Sequence, residues 1–255
     1  MALKALLFGS LDTLADTHEV QRRAFNEAFD AAGLDWHWEP GTYDRLLDRA
    51  GNASRLVAYA EQTGTTLDDD TRDTVQRERI KRYAGLLDDM TPELRPGVER
   101  VVNVALGEGR KVALVSNADR EMVDAFRTAL GSKLAMDQWS HVGDMATGGA
   151  PKPASDPYDE ALAILSVTPD EAVAIEDTAH GVASASAAAI MVLATPTDWT
   201  REQNFDAAAA VVDQLGTIQH PARSLRTPVP MEDNIVTLDW LEGLALIEAA
   251  EDRAA

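Results

Sequence analysis

Four short segments carry side chains suited to handling a phosphoryl group. In Ile175-Glu176-Asp177-Thr178 two adjacent carboxylates offer the hard oxygen ligands that magnesium prefers. Lys152 stands between Pro151 and Pro153, whose rings stiffen the loop that would present the ammonium group. Val115-Ser116-Asn117 places a hydroxyl and an amide just ahead of Asp119 and a helical pattern, where free backbone N–H groups and the helix dipole favour an anion such as phosphate. Phe8-Gly9-Ser10-Leu11-Asp12-Thr13 follows an apolar run and brings one acid and two hydroxyls. Taken singly, each has a plainer reading: a serine at a strand-to-helix junction caps the helix, a lysine in a proline-rich loop is solvated, and adjacent acids lie on the surface. In this order, one segment after each of four expected strands, they describe a phosphate-plus-magnesium site.

The elements that must position these residues follow from periodicity. Ala5 to Phe8 reads as a buried strand and Glu19 to Ala32 as an amphipathic helix. From there to Met90 the chain shows helical spacing in Tyr43 to Ala50, Ala53 to Gln62 and Thr71 to Leu87, and no strand pattern. Beyond Pro92 helices alternate with short apolar strands: Lys111 to Val115, His141 to Val142, Ala172 to Ile175, Ile190 to Ala194 and Ala210 to Val212. Gly109, Gly131 and Gly216 sit where helices should stop. Pro221 to Pro230 reads as an irregular connection before a last helix at Leu238 to Ala250. The expected fold is α/β, a parallel-sheet core formed by residues 1–16 and 92–255, with residues 17–91 as an inserted helical cap closing over the C-terminal strand ends. Open α/β sheets bind ligands at that edge.

Composition narrows the function. With 255 residues, 45% of them apolar, the chain can bury a substantial core. It has no cysteine, which excludes disulfides, thiolate catalysis and Cys-ligated metals. No run approaches a membrane span, and Met1 to Phe8 lacks the regions of a signal peptide, so the expected location is cytoplasmic. Asp and Glu number 43 against 23 Lys and Arg, a net charge of −20 that argues against nucleic acid and anionic membrane as partners. Such acidity suits either a salty cytosol or an ordinary one. The five histidines show no metal-ligand spacing, and His180 reads as a loop residue beside the acidic pair. Phe29, Trp36 and Trp38 read as core aromatics of the helical insert.

Over most of its length the chain resembles the haloacid dehalogenase (HAD) superfamily, and within it the CbbY-type sugar-phosphate phosphatases and their β-phosphoglucomutase relatives. The resemblance rests on Lys4-Ala5-Leu6-Leu7-Phe8, Thr13-Leu14-Ala15-Asp16-Thr17, Ala24-Phe25-Asn26-Glu27-Ala28-Phe29, Arg95-Pro96-Gly97-Val98, Lys152-Pro153-Ala154, Asp156-Pro157-Tyr158 and Ile175-Glu176-Asp177-Thr178 with Gly181. It implies a Rossmannoid core with a cap, and a phosphatase in which one aspartate after the first strand attacks phosphorus and a second, two residues on, shuttles the proton. It further implies magnesium at Glu176 and Asp177, phosphate held by Thr13, Ser116, Asn117 and Lys152, and a second anionic group met by Arg55 of the cap.

The first motif departs from the family pattern Asp-x-Asp-Gly-Thr. Aligned on Phe8 and Thr13, the nucleophile position is Gly9 and the acid/base position is Leu11. Neither can form an aspartyl phosphate or move a proton. Strand alternation points Ser10 away from the face shared by positions 9 and 11. Asp12 is the one acid left in the motif, past the strand end. In the cap, Gln21 stands for the family's histidine and Gly51-Asn52-Ala53-Ser54-Arg55 for its Gly-Gly-Lys-Glu-Arg loop. Two readings stay open. In one, phosphatase activity is absent or very weak, magnesium binds weakly or not at all, and a phosphorylated sugar or a protein partner is bound. In the other, the chain is a working magnesium-dependent phosphatase of a small sugar phosphate that uses Asp12.

Overall fold

A computed structural model describes residues 3–49, 52–90, 92–146 and 149–251. Its sheet is built from β1 (Ala5–Phe8), β2 (Lys111–Leu114), β3 (His141–Val142), β4 (Ala172–Glu176), β5 (Met191–Ala194), β6 (Ala210–Val212) and β7 (Ser224–Arg226), in the order β3-β2-β1-β4-β5-β6-β7. All neighbours are parallel except β6 and β7. The chain is thus an α/β protein with a Rossmannoid core, and β1 lies at the centre of the sheet, paired with β2 on one side and β4 on the other.

Period-two alternation sorts the strand residues onto two faces. Leu6, Phe8, Val112, Leu114, Val173 and Ile175 pack on one face against α5 (Val98–Gly107), α6 (Arg120–Leu130) and α9 (Leu238–Glu251). Ala5, Leu7, Ala113, Ala172 and Ala174 pack on the other against α7 (Asp156–Leu165) and α8 (Ala179–Ala187). Between β1 and α5 the described residues form helices and no strand: α1 (His18–Ala31), α2 (Pro40–Leu47), α3 (Asn52–Thr63) and α4 (Asp69–Asp89). Phe25, Phe29, Trp36, Trp38 and Tyr43 make a separate buried cluster there, and Trp199, from the loop after β5, packs onto it. Ala50, the predicted end of the second helix, and Gly51 lie outside the described residues.

Two expectations are corrected. Pro221 to Pro230 is not wholly irregular, since Ser224–Arg226 adds the antiparallel edge strand β7. All three of its residues are exposed, so no apolar alternation marks it. Gly216 ends no helix. It follows β6 at φ +77° and lets the backbone approach Gly97, itself at φ +92°, so closely that a side chain on Gly97 would fall 2.7 Å from the Gly216 nitrogen. Gly109 and Gly131 do follow helices, both with positive φ.

Candidate functional site

The site lies where β1, β2 and β4 end together, beneath the helices between β1 and α5. Pairing in β1 stops at Phe8, and Gly9 still donates its N–H to the Ile175 carbonyl at 2.8 Å. The chain then turns, and alternation no longer governs the side chains. Ser10 therefore does not point away: its hydroxyl donates to Asp177 Oδ1 at 2.6 Å and accepts the Thr13 N–H at 3.1 Å.

A cavity of about 140 Å³ opens here. Core residues Ser10, Asp12, Ser116, Asn117, Lys152, Glu176 and Asp177 line it, and Arg49, Arg55 and Leu47 enter from the opposite side. The structure therefore gathers nearly all the predicted site residues. Thr13 is the exception: it is buried, it does not line the cavity, and its hydroxyl donates to the Ser10 carbonyl at 2.7 Å. The side chains of Asn52 and Ala53 lie outside the description.

Lys152 does not present a free ammonium. An ammonium has three N–H donors, and here they meet the Gly9 carbonyl, the Val115 carbonyl at 2.8 Å and Glu176 Oε1 at 2.6 Å. Glu176 Oε1 also accepts the Tyr158 hydroxyl at 2.6 Å. The Glu176 carboxyl group lies between Gly9 and Gly181, so that a side-chain carbon built on either glycine would fall inside it. The space beside Gly9, where the family pattern has its nucleophile, is thus filled by Glu176. Burial pushes the Glu176 carboxyl up, and Lys152 only partly opposes this. Burial and the neighbouring Glu176 push the Tyr158 phenol up too.

Asp12 is equally committed. Its Oδ1 accepts from Thr17 N at 2.8 Å and Thr17 Oγ1 at 2.9 Å, and its Oδ2 from Gln21 Nε2 at 3.0 Å. These bonds fasten the turn to the start of α1, while Asp12 still lines the cavity. His18, 3% exposed, lies between two carboxylates, its Nε2 3.6 Å from Asp177 Oδ2 and 4.0 Å from Asp12 Oδ2. Burial opposes charge on the imidazole, but the two acids outweigh it and hold its pKa above the usual value. Burial likewise pushes Asp177 up, and His18 and Ser10 outweigh it to hold that carboxyl low.

Around this centre, Ser116 Oγ accepts the Ala118 N–H at 3.0 Å at the approach to α6. Asp119 occupies the cap position of α6 but makes no capping bond with its side chain. Its carboxylate instead pairs at 2.5 Å with Arg79 of α4, which is 1% exposed. His180 belongs to α8 and not to a loop, and its Nε2 lies 2.8 Å from the Asp48 carbonyl, tying the core to the end of α2. Arg95 is half-buried and donates to four carbonyls, those of Asp12, Thr195, Pro196 and Asp213. Sequence reasoning missed the parts played by Ser10, His18, Tyr158 and Arg79. Only Tyr158 had a signal, standing two residues after Asp156 in a segment already singled out.

In this Rossmannoid core a lysine, an acidic pair and a strand-to-helix hydroxyl converge on the end of β1. The chain belongs to the haloacid dehalogenase-like hydrolases, whose family pattern matches residues 3–189, and to their CbbY lineage. It is 36% identical to protein CbbY of Rhodobacter capsulatus over 208 residues, 82% of this chain and 92% of that protein. It is 32% identical to the plasmid-borne CbbY of Cupriavidus necator over 233 residues, 89% and 91% of the two chains. Among solved structures, a mutant CbbY from Rhodobacter sphaeroides in complex with xylulose-(1,5)bisphosphate superposes with a TM-score of 0.78 at 29% identity, covering 83% of this chain and 94% of that one. A β-phosphoglucomutase from Clostridium difficile shares the fold, with a TM-score of 0.73 at 14% identity over 98% and 100% of the chains.

Hydrolases of this family use Mg²⁺. The residues here fit it badly. Position 9 offers no carboxylate, Glu176 faces Lys152 and Tyr158, and Asp177 faces a hydroxyl on one side and an imidazole on the other. Magnesium requires a near-octahedral set of oxygens.

Proposed function

We propose that this chain binds a phosphorylated sugar between a core of residues 1–16 and 92–255 and a cap of residues 17–91, without turning it over through an aspartyl phosphate. One observation carries the reading: the Glu176 carboxylate fills the place beside Gly9 and engages Lys152. With no carboxylate at 9 and an apolar Leu11 two residues on, attack on phosphorus lacks its nucleophile and the leaving group lacks its proton donor. Asp12, the one acid left in the motif, lies past the strand end, where Thr17 and Gln21 hold both its oxygens.

Binding has better support. Ser116, Asn117 and the N–H groups leading into α6 suit a phosphate, and Arg55 and Arg49 line the same cavity from the cap side. A phosphate reaching Lys152 would displace Glu176, so binding is coupled to movement of that side chain. The bisphosphate seen with the Rhodobacter sphaeroides relative makes a sugar bisphosphate the first ligand to test. Magnesium is expected to bind weakly or not at all, and a cytosolic setting accompanies a free sugar phosphate.

The test pairs calorimetric titration of sugar mono- and bisphosphates with steady-state hydrolysis of the same panel in magnesium. Saturable binding with no turnover is expected. Turnover of ~1 per second or faster would overturn the reading. Failure of every phosphate to bind would overturn it too, and would favour a protein partner.

A further inference from the structure

We propose that Arg79 of α4 is a positioning residue for phosphate: it draws the Asp119 carboxylate off the start of α6, next to Ser116 and Asn117, and does so only while the cap is closed over the core. This rests on the reading above that Ser116 and Asn117 meet a phosphate. Asp119 stands at the cap position of α6 with an extended backbone, φ −59° and ψ 146°, yet its side chain makes no capping bond. Two other helices of the chain show what such a backbone ordinarily brings. Asp68, at φ −77° and ψ 167°, accepts the Thr71 N–H at 2.7 Å at the start of α4. Thr178, at φ −122° and ψ 151°, accepts the Gly181 N–H at 3.1 Å at the start of α8. An aspartate in this place caps its helix unless a stronger partner holds it, and here Arg79 Nη2 holds it at 2.5 Å.

Arg79 acts on the site from outside it. The side chain is 1% exposed and does not line the cavity, so its influence on a ligand runs through Asp119. Its Nε donates to Gln76 Oε1 at 3.0 Å, and its guanidinium lies 5.2 Å over the Phe25 ring, both partners belonging to residues 17–91. The guanidinium therefore travels with the cap. Asp119 belongs to the core, and its side chain, 23% exposed, has room to turn.

The consequence concerns entry and retention. The cavity of about 140 Å³ is smaller than the roughly 300–1,000 Å³ of small-molecule sites, so a sugar phosphate enters with the cap drawn back. Arg79 leaves with the cap, and Asp119 returns to the N–H groups of α6. A carboxylate there takes the donors and the positive helix end that favour phosphate. Closure removes the carboxylate again, and the anion is held most tightly when the cap is shut.

The experiment uses the full chain, titrated by calorimetry with inorganic phosphate and with a sugar bisphosphate, and followed without ligand by amide hydrogen exchange. Arg79→Met should weaken both ligands about 10-fold, the size of a well-placed charge at a helix end. Arg79→Met with Asp119→Ala should bind within about threefold of the parent, because neither charge remains at that end. In ligand-free Arg79→Met the amide proton of Glu121 or Met122, the second and third residues of α6, should exchange more slowly as it gains the bond to Asp119. Unchanged affinity in a folded Arg79→Met variant, unchanged exchange at both amides, or a double variant as weak as the single one would each overturn the proposal, the last by making Arg79 a direct phosphate ligand. Should Arg79→Met alone not fold, the double variant decides: binding near that of the parent supports the proposal, and a loss of the size expected for Arg79→Met overturns it. Failure of the parent to bind any phosphate would overturn this proposal and the proposed function together, whereas every other adverse result overturns this one alone.

Discussion

Position 9 shows how one missing side chain reorganises a site. Glycine there leaves a space that a buried carboxylate fills, and that carboxylate holds the lysine expected to meet phosphate. Gly9→Asp alone should therefore destabilise the chain by about 1–3 kcal/mol through overpacking, seen as a lower urea midpoint, because Glu176 must leave Lys152 and Tyr158. The triple change Gly9→Asp, Leu11→Asp, Asp12→Gly should restore measurable magnesium-dependent hydrolysis of a generic phosphate ester, and Gly9→Asp alone should restore less, since leaving-group protonation is still absent. A folded triple variant as inert as its parent would place the deficit beyond the first motif. Tyr158→Phe removes a donor from a buried carboxylate and should cost about 1.5–3 kcal/mol, again by urea titration. At this scale the sequence made the cast legible but not the partnerships. Lys152 and Glu176 were both picked out, but their pairing across 24 positions has no local signature. His18 was set aside on spacing, because its neighbours Asp12 and Asp177 meet it through the fold and not through a repeat.

At the scale of elements, helix α4 and helix α6 are joined by one buried cation. Arg79 is 1% exposed, stacks over Phe25 at 5.2 Å and pairs with the partly exposed Asp119. Removing the acid strands a guanidinium in the interior, and that should cost about 3–5 kcal/mol, whereas replacing the cation with an apolar chain of similar volume is far milder. Asp119→Ala is therefore expected to lower the unfolding free energy much more than Arg79→Met, as read from chemical denaturation; the reverse order would show that the pair contributes through its charge alone. Thr178 caps α8 by accepting the Gly181 N–H at 3.1 Å, and Thr178→Ala should cost about 1 kcal/mol. Most elements were legible because their apolar periods are strong: β1, β3 and β6 have the bounds the pattern predicts. Strand β7 was not. Its Ser-Leu-Arg stretch is exposed throughout, and backbone pairing with β6, which leaves no trace in side-chain type, is all that makes it a strand.

For the molecule as a whole, a net charge of −20 on 255 residues means that folding gathers like charges. Raising sodium chloride from about 0.05 to 1 M, well beyond the point where exposed charges are screened, should raise the melting temperature in differential scanning fluorimetry. A flat or falling response would show that the acids are already balanced locally. The same surface bears on the ends of the sheet. One margin is β3, two residues long, and the other is β7, three exposed residues joined to β6 across an irregular register. Arg226 of β7 turns back to donate to the carbonyls of Phe205 and Ala208, both at 2.7 Å. Neither margin offers the long, flat, apolar template on which a second chain adds as a further strand. A second chain laid edge to edge therefore finds only two or three residues of backbone to pair with at either end of the sheet.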